Sequence, residues 1–571
     1  MNQKNWLDLG PLAEFPEGRP VLRKVDGHRF ACVRSGDGVN AVDDRCPHQG
    51  YPLSQGSCKD GVLTCEWHNW KFDLASGECT FGGEAVRRYP TRIEGGHVHL
   101  DMALDVEREA ARLRGGLAKA LARDEMGRAL REALRLGEIT AHPQAKRLGA
   151  IAAGLELVAH DGARRAEYGF DHGLAVLSDL ASWAERGWVS HNEAFVAAAH
   201  AVAEPSLHLD ARPVPKADAA GADALDPAKA RDALAAERRD EAEARVRAIA
   251  RARGGEGAVT ALVPFVARHL YDYGHGAIFL AKASEIAARF PAIAEDVIGS
   301  AAVTLAWATA ETALPPFTAT RGALANLEER GTSGGDAELD RDERAAYERE
   351  VLSGEAAALQ ATLAWLDRGA DPRSLIRAIG RAAAERVARF DLGWETRTDA
   401  EVGVLDVTHT ITFAESALAL ATRAEARDVA RLAVLGAGFV GKVRAGDRRE
   451  LGDPAPRTNA PDLRSAVAAR DPGRAMAIAR EMSAAERARA YAELAPFAAF
   501  DAAVRPIFYA HTVKNTEALH RLEAADPHAD ATYLVALVSY LAPIRPEFRA
   551  RRLAAVAQKF LADGRPPEGL Y

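Results

Sequence analysis

Cysteine is missing from most of this chain: all five, Cys32, Cys46, Cys58, Cys65 and Cys79, precede residue 80 of 571. A secreted scaffold stapled by disulfides is thereby excluded, because such chains spread paired cysteines through their length. The opening residues, MNQKNWLDLG, lack the basic and apolar regions of a signal peptide, so a cytoplasmic location is expected. Long apolar runs are missing too. The most apolar stretch, VIGSAAVTLAWATA from Val297, stops at Glu311, short of the roughly 18 residues a membrane span needs. Nor does charge of one sign dominate. The formal net charge is -8 with acids and bases interspersed, which favours neither nucleic acid nor an anionic membrane as partner. No fixed-period repeat stands out.

At this length more than one core is expected, and the sequence changes character near residue 104. Before it, VLRKV, RFACVR, GVLTCEW and HVHLDM alternate apolar and polar residues and are split by Gly, Pro and Asp, the pattern of a small antiparallel sheet. After it, Ala, Leu, Arg and Glu dominate with helical spacing, beginning with ARLRGGLAKALARDEMGRALREALRLG. The expected architecture is multidomain: a small all-β domain over residues 1–104, then a large all-α helical domain over residues 105–571. Breaker-rich connections at Ala211–Asp226, from Gly331 and from Gly452 read as surface loops. The run ARDALAAERRDEAEARVRAIARARGG reads as one solvated helix face, since its acids and bases alternate.

Against this background two short stretches concentrate chemistry: Cys46-Pro47-His48 and Cys65-Glu66-Trp67-His68. Two thiolates and two imidazoles in this order are the ligand set of a Rieske [2Fe-2S] centre, in which two His replace two Cys on one iron and raise its potential. A Cys2His2 set also suits tetrahedral zinc. For the cluster speak the ligand order, each Cys preceding its His within its own loop, and the flanking aromatics Trp67, Trp70 and Phe72.

From about residue 5 to residue 104 the chain resembles the Rieske family, on the segments CPHQGYPLSQG and CEWHNWKFDLASGE. The resemblance implies that Cys46 and Cys65 hold one iron, and that His48 and His68 hold the other, nearer the surface, where electrons enter or leave. High-potential members of that family join the two loops by a disulfide. Its cysteines are replaced here by Tyr51 and Trp67, and Asn69 and Phe72 stand where those members resemble Ser and Tyr donors. A low-potential, ferredoxin-type cluster is expected, because hydrogen bonds to the sulfurs and solvent exposure set the potential.

The usual helix-grip partner of such a domain carries two His separated by four residues, and no pair here has that spacing. Instead four His lie far apart in helical contexts: FDHGLAVL (His172), YDYGHGAIFLAKA (His275), LDVTHTITFAESALAL (His409) and FYAHTVKNTEAL (His511). Lys514 follows His511 by three residues and shares its helix face, and a buried Lys is costly unless neutralised, paired or chemically used. A lone His on an apolar helix is ordinarily a core residue. Over residues 150 to 560, however, HTITFAESAL, AHTVKNTEAL and the wide His spacing resemble the questin oxidase-like family of helical oxygenases. That resemblance implies a mononuclear non-haem iron, Fe(II), held by His172, His275, His409 and His511, with Lys514 carboxylated by carbon dioxide as a further ligand. His160, His191, His200 and His269 are the substitutes, and Asp171, Asp272, Asp406 or Glu517 could orient the ligand imidazoles.

LAVLGAGFVGKV, with Gly436, Gly438 and Gly441, matches the dinucleotide fingerprint, but helix rather than strand precedes it and the spacing reads as close helix packing. Electrons are therefore expected from a separate reductase or ferredoxin. The expected function is an oxygenase in which the cluster feeds an iron, in its own chain or a neighbouring subunit, that activates O2 against a small organic substrate of aromatic or quinone type, hydroxylating or cleaving it. The alternative is a non-catalytic Rieske electron carrier or redox sensor whose helical part docks a partner.

Overall fold

The computed structural model describes residues 6–215, 221–270, 272–307, 318–390, 402–447, 453–500 and 506–543, with four further positions between 554 and 562. The chain divides into two compact units, one built on Met1–Ala145 and one on Leu155–Ala550.

The first unit contains three small antiparallel sheets. β1 (Trp6–Pro11), β11 (His97–Asp101) and β10 (Thr91–Glu94) form one; β2 (Pro20–Val25), β3 (His28–Ser35), β4 (Gly38–Asp43) and β9 (Arg88–Tyr89) form the second; β5 (Ser57–Lys59), β6 (Val62–Thr64), β7 (Lys71–Asp73) and β8 (Cys79–Phe81) form the third. The predicted alternation is visible in β11, where Val98 and Leu100 point inward while His97, His99 and Asp101 do not. Three hairpins turn on two left-handed residues each: Asp26-Gly27, Asp60-Gly61 and Gly95-Gly96. Such turns match the right-handed twist of the strands they join.

Two helices, Val106–Ala122 and Met126–Ile139, fall within this first compact unit, beyond the point where the sequence changes character. Glu84, fully buried, accepts from Arg131 and from Arg135 (2.9 Å) on the second of these helices and so ties it to the sheets. The paired guanidiniums hold the Glu84 carboxyl below its ordinary range against the penalty of burial.

The second unit is helical. Its charged run is not one solvated face: it breaks at Ala236–Arg238 between helices Pro227–Ala235 and Arg239–Val266. Within the longer helix Glu243 and Arg247 are buried, pairing with each other and with Arg212 and Asp296. Alternating charges also satisfy a face that packs against partners of opposite sign. The loops from Gly331 and Gly452 are non-helical where described; Ala211–Asp226 includes the short turn Gly221–Leu225, and its residues 216–220 lie outside the described residues. The three glycines of LAVLGAGFVGKV lie inside the helix Ala426–Lys442. A Cβ on Gly441 would come within 2.8 Å of the Glu355 backbone, so these glycines serve close helix packing. No helix among the described residues is long and apolar enough to cross a membrane.

Candidate metal centres

In the first unit the two loops repeat one backbone plan. The amide of Cys46 donates to Tyr51 O (2.9 Å) and the amide of Gly50 to Cys46 O (2.8 Å); the amide of Cys65 donates to Trp70 O (2.8 Å) and that of Asn69 to Cys65 O (3.0 Å). Each loop therefore needs a left-handed residue four places after its Cys, supplied by Gly50 (φ 77°) and Asn69 (φ 58°). Cys46 and Cys65 are buried, His48 is half-buried and His68 exposed, which puts sulfur inside and imidazole outside. The two imidazoles lie 4.5 Å apart between ring centroids, and Trp70 stacks on His48 at 4.6 Å. Gly82, left-handed at φ 135°, makes room for that indole.

Hydrogen bonding from the Cys46 thiol lowers Cys65 to about 6 and raises Cys46. Backbone amides of His48 and Gln49 point at the first sulfur and those of Trp67 and His68 at the second, favouring thiolates. Tyr51 and Trp67 pack across the loops at 5.7 Å, where the high-potential class has its disulfide.

In the second unit four helices, His172–Arg186, His275–Arg289, Val404–Ala421 and Pro506–Ala525, bring the four distant imidazoles together. Nε2 of His275 lies 3.1 Å from Nε2 of His172 and 2.9 Å from that of His409, which lies 3.0 Å from Nε2 of His511. His275, His409 and His511 are buried and His172 is half-buried. Burial is the main cause holding His172, His275 and His409 below the ordinary imidazole range, hence neutral. Nδ1 of His409 donates to Leu405 O (2.6 Å), which fixes the tautomer and leaves its Nε2 a bare lone pair.

In the metal-free protein a bare Nε2 at this distance accepts from a neighbouring Nε2–H, whereas imidazoles that all present lone pairs need a cation among them. With metal–nitrogen bonds of about 2.1 Å, neighbouring ligands are about 3.0 Å apart in an octahedron and about 3.4 Å in a tetrahedron. The observed contacts match the octahedral spacing and equally that of imidazole hydrogen bonds.

Lys514 is fully buried on the His511 helix, and its Nζ has no hydrogen-bond partner among the described residues. Burial pushes it down to about 7. Phe279 covers it at 5.9 Å.

Directly before His275 come three consecutive left-handed residues, Asp272 (φ 49°), Tyr273 (φ 56°) and Gly274 (φ 79°). Two are not glycine, a strain of about 1 kcal/mol or more each. The turn places Asp272 Oδ2 3.0 Å from His275 Nδ1, off the line of a straight hydrogen bond, and lays the half-exposed Tyr273 ring on His409 at 5.5 Å. Of the other carboxylates expected to orient imidazoles, Asp171 caps its own helix at Leu174, Asp406 accepts from Gly403, and Glu517 accepts from Trp183 (2.8 Å). The substitute histidines have other partners: His160 pairs with Asp161 and Asp296, His269 packs on Phe265, the His191 ring abuts Gly149, and His200 is exposed.

The Rieske [2Fe-2S] domain family matches residues 5–90. The ferredoxin subunit of anthranilate 1,2-dioxygenase from Burkholderia cepacia is 35% identical over 99 residues, 17% of this chain and 92% of that protein. Through its N-terminal domain the chain belongs to the Rieske family. The 4beta-methylsterol monooxygenase of Methylococcus capsulatus is 36% identical over 101 residues, 15% of this chain and 27% of that one. Among solved structures, the ferredoxin of carbazole 1,9a-dioxygenase from Nocardioides aromaticivorans IC177 is 25% identical over 17% of this chain and 98% of its own, with a TM-score of 0.17. The Rieske domain implies a [2Fe-2S] cluster, and its two Cys-His loops fit that donor set. Beyond residue 105 the elements among the described residues are all helices.

Proposed function

We propose that this protein is a Rieske oxygenase: residues 1–104 accept electrons from a separate reductase or ferredoxin, and the all-α part from residue 105 spends them on dioxygen at a mononuclear non-haem iron. Cys46 and Cys65 would bind one cluster iron and His48 and His68 the other. His172, His275, His409 and His511 would hold the mononuclear iron, with Lys514 as a further ligand. The single observation that carries this reading is the meeting of four Nε2 atoms, from four helices far apart in sequence, beside a buried amine with no hydrogen-bond partner among the described residues.

Bound there, ferrous iron would supply the one-electron chemistry that dioxygen activation requires. The rest falls to the chain's own groups. Burial keeps the imidazoles neutral, the Leu405 carbonyl fixes the His409 tautomer, and packing around His511 and Lys514 excludes water. A Lys514 held near 7 is available as the free amine, which adds to carbon dioxide and releases one proton, giving the oxygen anion a carboxylate would otherwise provide. An aromatic or quinone-type substrate follows from the resemblance to the questin oxidase-like family. The oxygenase relative supports an enzyme; the ferredoxin relative supports the carrier alternative.

Nitric oxide separates the two. An oxygenase reduced anaerobically gives the high-spin signal of an iron–nitrosyl at a mononuclear site. His409→Ala and His511→Ala abolish it and leave the Rieske signal untouched. A carrier gives only the Rieske signal, and its appearance alone in the wild type defeats the proposal.

A further inference from the structure

Six or seven residues after each ligand-position histidine, the same four helices carry a second buried layer. Asp179 follows His172, Lys282 and then Glu285 follow His275, Glu415 follows His409, and Glu517 and then Arg521 follow His511. Lys282 Nζ donates to Asp179 Oδ1 (2.8 Å) and lies 3.6 Å from Glu415 Oε2; Arg521 donates to Glu415 (2.9 Å), Glu285 and Glu517; Arg186 also donates to Glu517. Ser178 donates to Glu285 (2.7 Å). A common offset in all four helices is met only if they run in the same direction, with the imidazoles towards their N-termini and the ionic layer about 10 Å deeper, at 1.5 Å per residue.

Parallel helices aim their positive dipole ends at the imidazoles. His172 and His275 are the first residues of their helices. That field alone opposes a dication. With Asp179 ionised the ionic layer has the opposite sense, since four carboxylates (Asp179, Glu285, Glu415, Glu517) against three cations (Lys282, Arg186, Arg521) leave one surplus negative charge. Asp179, Lys282, Glu415 and Glu517 are buried, where water screens them little. Asp179 Oδ2 has no partner among the described residues, so its charge is only half satisfied within the layer.

We propose that this layer is the counter-charge of the second metal site, setting its affinity for a divalent cation through space rather than by contact. The inference rests on the proposed oxygenase reading and extends it to residues that touch no metal. At an effective dielectric of about 20, one charge about 10 Å from a dication changes affinity about a hundredfold.

The test is cobalt(II) binding to the full chain with its Rieske cluster in place and the second site stripped, at pH 8, above the value of about 7 to which burial pushes Asp179. The wild type binds one cobalt. Asp179→Asn and Glu415→Gln bind it about a hundredfold more weakly with an unchanged visible cobalt spectrum, and Asp179→Glu restores affinity. Arg521→Gln, which removes a positive charge, binds about tenfold more tightly. Opposite signs are the decisive feature, because loss of structural support weakens all variants alike. Equal weakening in all three neutralised variants, or unchanged affinity in Asp179→Asn and Glu415→Gln, overturns the proposal. A wild type that takes up no cobalt instead defeats the oxygenase reading itself.

Discussion

Replacing His409 by Leu distinguishes a ligand histidine from a core histidine by its effect on stability with and without metal. In the metal-free protein His409 is buried with Nε2 facing two other imidazole nitrogens at 2.9 and 3.0 Å. Its lone pair accepts from one of them, worth about 1 kcal/mol, and the second contact, which one lone pair does not also satisfy, costs about 1–3 kcal/mol. Leucine has a similar volume and no such atom. It forfeits the Nδ1 bond to Leu405 O, worth about 1 kcal/mol, and that carbonyl keeps its place in the helix. The metal-free variant should therefore stay within about 1 kcal/mol of the wild type. The metal response separates the two proteins. Ligand at a thousand times its dissociation constant stabilises the wild type by about 4 kcal/mol and should leave the variant unmoved. Differential scanning calorimetry of the metal-free and cobalt-loaded forms reads both effects. A metal-free variant that melts well below the wild type, by about 2 kcal/mol or more, would show a histidine that serves packing and refute the reasoning.

Three further outcomes are expected. Glu84→Ala strands two guanidiniums against a buried wall and should destabilise the first unit by about 3–5 kcal/mol, read from urea unfolding followed at the Rieske absorption, with Glu84→Gln milder. His160 is raised to about 9 by the hydrogen bonds it donates to Asp161 and Asp296, so its contribution is present in full below the unfolded value of 6.5 and fades as pH rises through about 9. Its ring is 37% exposed, so solvent screening leaves about 1 kcal/mol, and His160→Gln should flatten the stability profile between those values. Gly441→Val drives a side chain into the Glu355 backbone and should cost about 1–3 kcal/mol in thermal unfolding, without changing the response to added nicotinamide nucleotides.

The Rieske loops were legible because their chemistry is local: Cys46, His48, Cys65 and His68 fall within one short segment, and Gly50 and Asn69 mark the turns that close each loop. The strands were legible from alternation and the helices from spacing. The helical imidazoles were legible only through their sequence context, since nothing in their numbering says that residues 172, 275, 409 and 511 meet; tertiary topology does that. The ionic layer escaped notice although a signal existed, a charged residue six or seven places after each of the four His inside apolar helices. The left-handed run at Asp272 and Tyr273 left no trace in composition, because tertiary packing rather than local propensity holds those angles.

Two kinds of iron in one chain would show in the ratio of iron to acid-labile sulfide in fully reconstituted protein. About three irons for every two sulfides are expected, falling to about two in His409→Leu with the Rieske spectrum intact. Two irons for two sulfides in the wild type would contradict a second kind of iron.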